Sequence, residues 1–191
     1  MGNQSLSVVA MFVFLNIAVS LCVVSLTSRA WIQGSLKSGS GAERIRKGLW
    51  EICNGSSCQR LDQSQQATSF TATQMFFTLG SAMLILSNVL MFVILGSYTL
   101  QKNKSPALIK VFGISLALVL LMISQLIYGF DAKNQNLDIP ETVEVILGKS
   151  FYEGILATAF GFMALLAALR RYQILSVTPK GYRDVTRSMI V

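Results

Sequence analysis

The chain has 191 residues, 52% of them hydrophobic and 13% charged, and its mean hydropathy is +0.55. Such values exclude an ordinary soluble domain, and the absence of histidine removes both the commonest catalytic base and the commonest metal ligand. Sixteen Lys and Arg residues against nine Asp and Glu leave a net charge of +7, so the parts outside lipid are basic as a whole.

Four apolar stretches are long enough to span a bilayer: about residues 7–26, 75–98, 107–130 and 151–169. Each is expected to be a helix, because a helix satisfies its own backbone in lipid. The first has no basic residue ahead of its apolar run and no clean small-x-small cleavage site before Trp31, so it reads as a retained span rather than a signal peptide. Asn16 within it is expected to turn toward another helix, and Cys22 reads as a small buried apolar side chain.

Residues 27–72 form a first loop too long for a mere connector. Residues 27–33 can be a strand leaving the first span, and Gly34 to Gly41, rich in Gly and Ser, read as a flexible excursion. There follows Gly48-Leu49-Trp50-Glu51-Ile52-Cys53-Asn54-Gly55-Ser56-Ser57-Cys58. An Asn-Gly pair between two short runs signals a tight hairpin, which sets Cys53 opposite Cys58. A disulfide there requires an oxidising compartment and stabilises the fold by ~2 kcal/mol; two free thiols are the alternative. With no histidine and no second cysteine pair, no metal site is expected. Asn54-Gly55-Ser56 is also a candidate glycosylation acceptor. Trp31 and Trp50 suit either a small core beneath the loop or an interface belt, with Trp50 assigned to the core. The loop carries Arg29, Lys37, Arg44, Arg46, Lys47 and Arg60 against Glu43, Glu51 and Asp62, and the polar run 62–73 is expected to begin the second helix above the membrane.

Gly80, Ser81 and Ala82 in the second span allow close helix approach, and Asn88 offers an interhelical hydrogen bond, as Ser124 and Gln125 do in the third. Residues 101–106 read as a short turn. The second loop, 131–150, sets Asp131, Asp138, Glu141 and Glu144 against Lys133 and Lys149, so it complements the basic first loop. In the fourth span Ala157, Gly161, Ala164 and Ala168 fall near one face, and Glu153 can snorkel or pair with a basic loop residue. The tail, 173–191, is polar and basic, is expected to lack regular structure, and ends in Met189-Ile190-Val191, an apolar terminus of the kind PDZ-type scaffolds seat. An even number of spans puts both termini on one side; a disulfide loop belongs outside, so the termini are expected in the cytoplasm. Lys102, Lys104, Arg170 and Arg171 then sit beside the inner helix ends.

Four spans, Trp31 after the first, then Gly48-Leu49-Trp50 and Cys53 with Cys58 resemble the superfamily that joins claudins, epithelial membrane proteins, peripheral myelin protein and lens fibre membrane protein. A second match lies at the start of the last span, where Gly148, Tyr152 and Gly154 resemble the claudin pattern of Gly, three residues, Tyr, one residue, Gly. The spacing between the cysteines is tighter than in most claudins, and residues 67–74 lack the arginine that claudins carry there, which is closer to the epithelial and lens fibre branches. The resemblance implies an all-α membrane protein: a left-handed four-transmembrane-helix bundle over residues 1–172, carrying a small disulfide-pinned extracellular β-sheet built from the first loop and a strand of the second.

The expected function is cell–cell contact or junction organisation and barrier formation at the plasma membrane, with itself or related four-span proteins as partners. The alternative is an auxiliary subunit that controls the trafficking or gating of a channel or receptor. Arg44, Arg46 and Lys47 are the candidates for charge selectivity if the protein lines a paracellular route. No nucleophile–base pair is visible, so neither enzyme activity nor a cofactor is expected, and nothing points to nucleic acid.

Overall fold

Helices α1 (Gly2–Thr27), α2 (Thr68–Gly96), α3 (Lys104–Lys133) and α4 (Lys149–Val177) are each long and apolar enough to cross a membrane. They come from a computed structural model that describes residues 2–38, 41–61, 68–97, 104–133 and 143–177. At ~1.5 Å per residue each runs about 40–45 Å, enough for the hydrocarbon and both headgroup zones. Hydropathy marks only the hydrocarbon part, which is why the helices overrun the expected spans. Thus α2 begins at Thr68, α3 at Lys104 and α4 continues to Val177, into the segment expected as tail. Pro106, expected in a turn, lies in the first turn of α3, where its missing N–H has no helical acceptor to lose. Residues 178–191, with Met189-Ile190-Val191, lie outside the described residues, as do residues 101–103 of the expected turn at 101–106.

Each helix packs on two neighbours, in the cyclic order α1, α2, α3, α4. The small residues stand where helices press together. A Cβ added at Gly80 of α2 would come within 2.9 Å of Leu121 Cγ, and one at Gly161 of α4 within 2.6 Å of Leu118 Cδ2, both on α3. Ala157, Ala164 and Ala168 continue the buried face of α4. The polar groups inside the bundle join helices as expected: Asn88 Nδ2 donates to Asn16 Oδ1 (3.2 Å), Ser124 Oγ to the Thr73 carbonyl (3.0 Å) and Gln125 Nε2 to Thr158 Oγ1 (2.8 Å). Each removes an uncompensated dipole from an apolar setting and contributes of order 0.6 kcal/mol. Cys22 is a buried free thiol.

The two loops build one antiparallel sheet of five strands at one end of the bundle. Strands β1 (Ile32–Ser38), β2 (Gly41–Lys47), β3 (Glu51–Asn54), β4 (Ser57–Arg60) and β5 (Val143–Leu147) lie in the order β4-β3-β2-β1-β5. The Gly/Ser-rich segment at 34–41 therefore belongs largely to a long hairpin rather than to a flexible excursion: β1 and β2 pair from Ile32↔Lys47 to Ser38↔Gly41. Gly34, a weak strand residue alone, is held between Ile45 of β2 and Val145 of β5. The strand expected over 27–33 starts only at Ile32, because α1 persists to Thr27.

Candidate functional site

The chain leaves α1 at Thr27 and reverses, and that reversal drops the indole of Trp31 into the mouth of the bundle. It is wholly buried. Its ring meets Phe77 of α2 and Tyr128 of α3, each at 4.9 Å, and Phe151 of α4 at 5.9 Å, all edge to face. Its Nε1 donates to the Ser25 carbonyl of α1 at 2.7 Å, so a single side chain touches all four helices. Aromatic pairs in this geometry contribute ~0.5–1.5 kcal/mol each beyond their buried area, and the satisfied N–H removes the usual cost of burying an indole. The backbone of the same residue ties the loops together: Trp31 N–H donates to the Lys47 carbonyl (3.0 Å), and its own carbonyl accepts from Gly148 N–H (2.7 Å).

The other motif residues follow from this seat. Gly48 passes so close to the turn after α1 that a Cβ would lie 2.7 Å from the Ser28 carbonyl oxygen. Leu49 beside it is fully buried, and its carbonyl accepts from Gln74 Nε2 of α2. Trp50, assigned to the core from sequence, is only half-buried; its Nε1 donates to the Leu26 carbonyl at 2.9 Å and satisfies one of the orphan acceptors at the end of α1. Gly148 admits the Ala30 backbone into the space a Cβ would fill, and Gly154 fits against Ser25, Phe77 and Gln125. Tyr152 is different: it is 53% exposed on the outer side of α4, its ring against Phe151.

At the far edge Cys53 and Cys58 are paired across β3 and β4 and are disulfide-bonded. The two-residue turn is Gly55-Ser56 rather than Asn54-Gly55: Asn54 is the last residue of β3, opposite Ser57, and Gly55 takes the positive φ of +59°. Asn54 is exposed. Glu51 lies beside the two sulfurs, but a disulfide is not a thiolate ligand, and the carboxylate pairs with Arg29 Nε at 2.7 Å.

The three candidate selectivity residues separate. Arg46 is exposed, whereas Lys47 is 4% exposed, with its ammonium 4.8 Å from the centroid of Phe70 of α2. Strand alternation is the cause, since adjacent residues point to opposite faces and Lys47 shares its face with the buried Ile32 it pairs with. Lys47 is therefore part of the seat and not of the charged surface; the side chain of Arg44 lies outside those described. The register also sets Ser35 between Arg44 of the basic loop and Glu144 of the acidic one, so the two loops meet within one sheet. Glu153 pairs with Lys149, one turn away, at 3.5 Å.

The sequence reading missed Phe77, Tyr128 and Phe151, the ring partners of Trp31. Their signal was three aromatics near the same ends of three spans, which an interface-belt reading absorbs. Exposed on the sheet are Gln33, Arg46 and Ile146, together with all four residues of β4.

A family model described as PMP-22/EMP/MP20/Claudin matches residues 4–166. No curated protein gives a significant match. Because that match runs from α1 through both loops and into the second half of α4, the protein belongs to the PMP-22/EMP/MP20/Claudin family.

Proposed function

We propose that this claudin-like membrane protein works at cell–cell contacts of the plasma membrane, where its sheet meets a neighbour in the same or an opposed membrane and organises a barrier. The orientation that goes with this reading has the sheet outside and both termini in the cytoplasm. One observation carries it: the sheet is fixed to all four helices through Trp31, so it is presented as a rigid surface. Rigid presentation lowers the ordering cost of association. The two edges differ in chemistry, β4 being short and exposed throughout while β5 carries Ile146, which is 63% exposed. An exposed edge strand is a template for pairing with another chain.

Expression in non-adherent cells tests the reading. Adhesion predicts clusters with the protein concentrated where cells touch. Uniform surface distribution, with the protein tracking a co-purified channel or receptor, would instead favour an auxiliary subunit. Exposure of Asn54 also supports a glycan at this position, which a mobility shift on deglycosylation would reveal.

A further inference from the structure

At the end of the bundle away from the sheet, all four helices open on a small crevice lined by Met11 of α1, Ile94 of α2, Pro106, Ala107 and Lys110 of α3, and Ala168 and Arg171 of α4. Two cations face an otherwise apolar lining. Lys110 is six residues inside the start of α3, and Arg171 six inside the end of α4, which puts both about 9 Å from their helix ends. Lys110 is 3% exposed, and among the described residues its ammonium reaches only Met91 Sδ, at 2.8 Å. A thioether is a weak acceptor, whereas an ammonium presents three donors and carries a full charge. Neither ion pair among the described residues involves Lys110. A charge withdrawn from water without an oxygen partner is costly, and within membrane proteins such a group commonly marks a ligand site.

We propose that this crevice binds a phosphate group, with Lys110 as its inner donor and Arg171 as its outer one. The collar of the crevice fits an anion arriving from the membrane surface. Arg170 is exposed at the same end, and Lys104 lies there too, its Nζ donating to the Ser176 carbonyl at 3.2 Å and so closing α3 on α4. Under the orientation above this end meets the cytoplasmic leaflet, whose anionic lipids carry phosphate headgroups. An anionic phospholipid headgroup and a soluble phosphate present the same chemistry; the acyl chains of the lipid add contact with exposed residues of the same helix, such as Leu108, Ile109 and Phe112. Phosphate bound there bridges α3 and α4 and offsets the buried charge of Lys110.

The test uses the full chain in nanodiscs of phosphatidylcholine alone or with a phosphatidylinositol phosphate, followed by native mass spectrometry of the ejected protein and by thermal melting. Wild type is expected to retain the anionic lipid selectively and to melt higher in its presence. Lys110→Met lowers the retention about tenfold, the loss of one charge-assisted hydrogen bond, and Arg171→Gln lowers it in the same direction. In phosphatidylcholine alone Lys110→Met melts at or above wild type, because it removes an uncompensated charge while keeping the volume. A third arm adds soluble inositol phosphate to the neutral nanodiscs: an equal rise in melting temperature assigns the site to a free anion, and no rise assigns it to the lipid. Equal retention by wild type and Lys110→Met overturns the proposal. So does a Lys110→Met protein that melts below wild type in neutral lipid, since the ammonium would then be satisfied inside the bundle.

Discussion

The indole of Trp31 and the ring of Tyr128 meet edge to face at 4.9 Å, a contact between the first loop and the third helix made beneath the sheet. Removing it should unseat the sheet without dissolving the bundle. Trp31→Ala is expected to cost ~3–5 kcal/mol, as for other large-to-small changes in a packed core. Trp31→Phe keeps much of the ring contact but leaves the Ser25 carbonyl without its donor, for about 1–3 kcal/mol. Thermal melting in detergent and the fraction reaching the cell surface should rank wild type, Trp31→Phe and Trp31→Ala in that order.

Charge reversal separates the two basic neighbours of β2. Arg46→Glu should leave melting within about 0.5 kcal/mol of wild type, as exposed substitutions do. If the protein lines a paracellular route, the same change shifts the dilution potential of a monolayer toward cations. Lys47→Glu should instead destabilise, because it puts a carboxylate over the face of Phe70 and into the seat of the sheet. A folded, selectivity-shifted Lys47→Glu protein would contradict the burial of Lys47.

The disulfide is expected to act locally. Reduction, or Cys53→Ser with Cys58→Ser, should cost ~2 kcal/mol at the β3–β4 hairpin. It should increase proteolysis near Gly55 while the bundle, secured through Trp31, keeps its melting temperature. Non-reducing mass spectrometry of surface protein should recover the linked peptide, and recovery of two free thiols would rule the pairing out.

Helix contact makes glycine positions unequal. Gly161→Leu is expected to cost at least ~1–3 kcal/mol by forcing α4 away from Leu118. Gly96→Ala meets nothing within 4 Å and should be neutral or slightly stabilising. Melting of the two variants side by side distinguishes crowding from a general loss of glycine.

The terminal Met189-Ile190-Val191 supports a prediction drawn from sequence alone. A peptide ending at Val191 should bind a PDZ-type domain, which captures the free carboxylate, and the same peptide amidated at Val191 should not. Equal binding by both would remove the carboxylate from the recognition.

The helices and the hairpin were legible because each rests on a local signal: long apolar runs for the spans, and Gly55 between facing cysteines for the turn. What was not legible depends on pairing at a distance. Gly34 becomes a strand residue only because Ile45 and Val145 flank it, and residue 145 is more than a hundred positions away. Lys47 reads as surface charge until the register with Ile32 turns it inward, whereas Trp50, read as core, packs half-buried against the cluster that holds Trp31.

Trp31 donates through its N–H to the last residue of β2 and accepts through its carbonyl from the chain entering α4. A pull on the sheet is therefore shared by Trp31 with the Trp50–Leu26 and Gln74–Leu49 bonds, so that part of it runs into α1 and α4. Under tension between two cells the sheet would not swing like a hinged flap; it would behave as the head of a nail, with the load carried down the paired α1 and α4 shafts into the bilayer. Mechanical strength at such a contact would then depend on the burial of one indole as well as on the strength of the sheet itself.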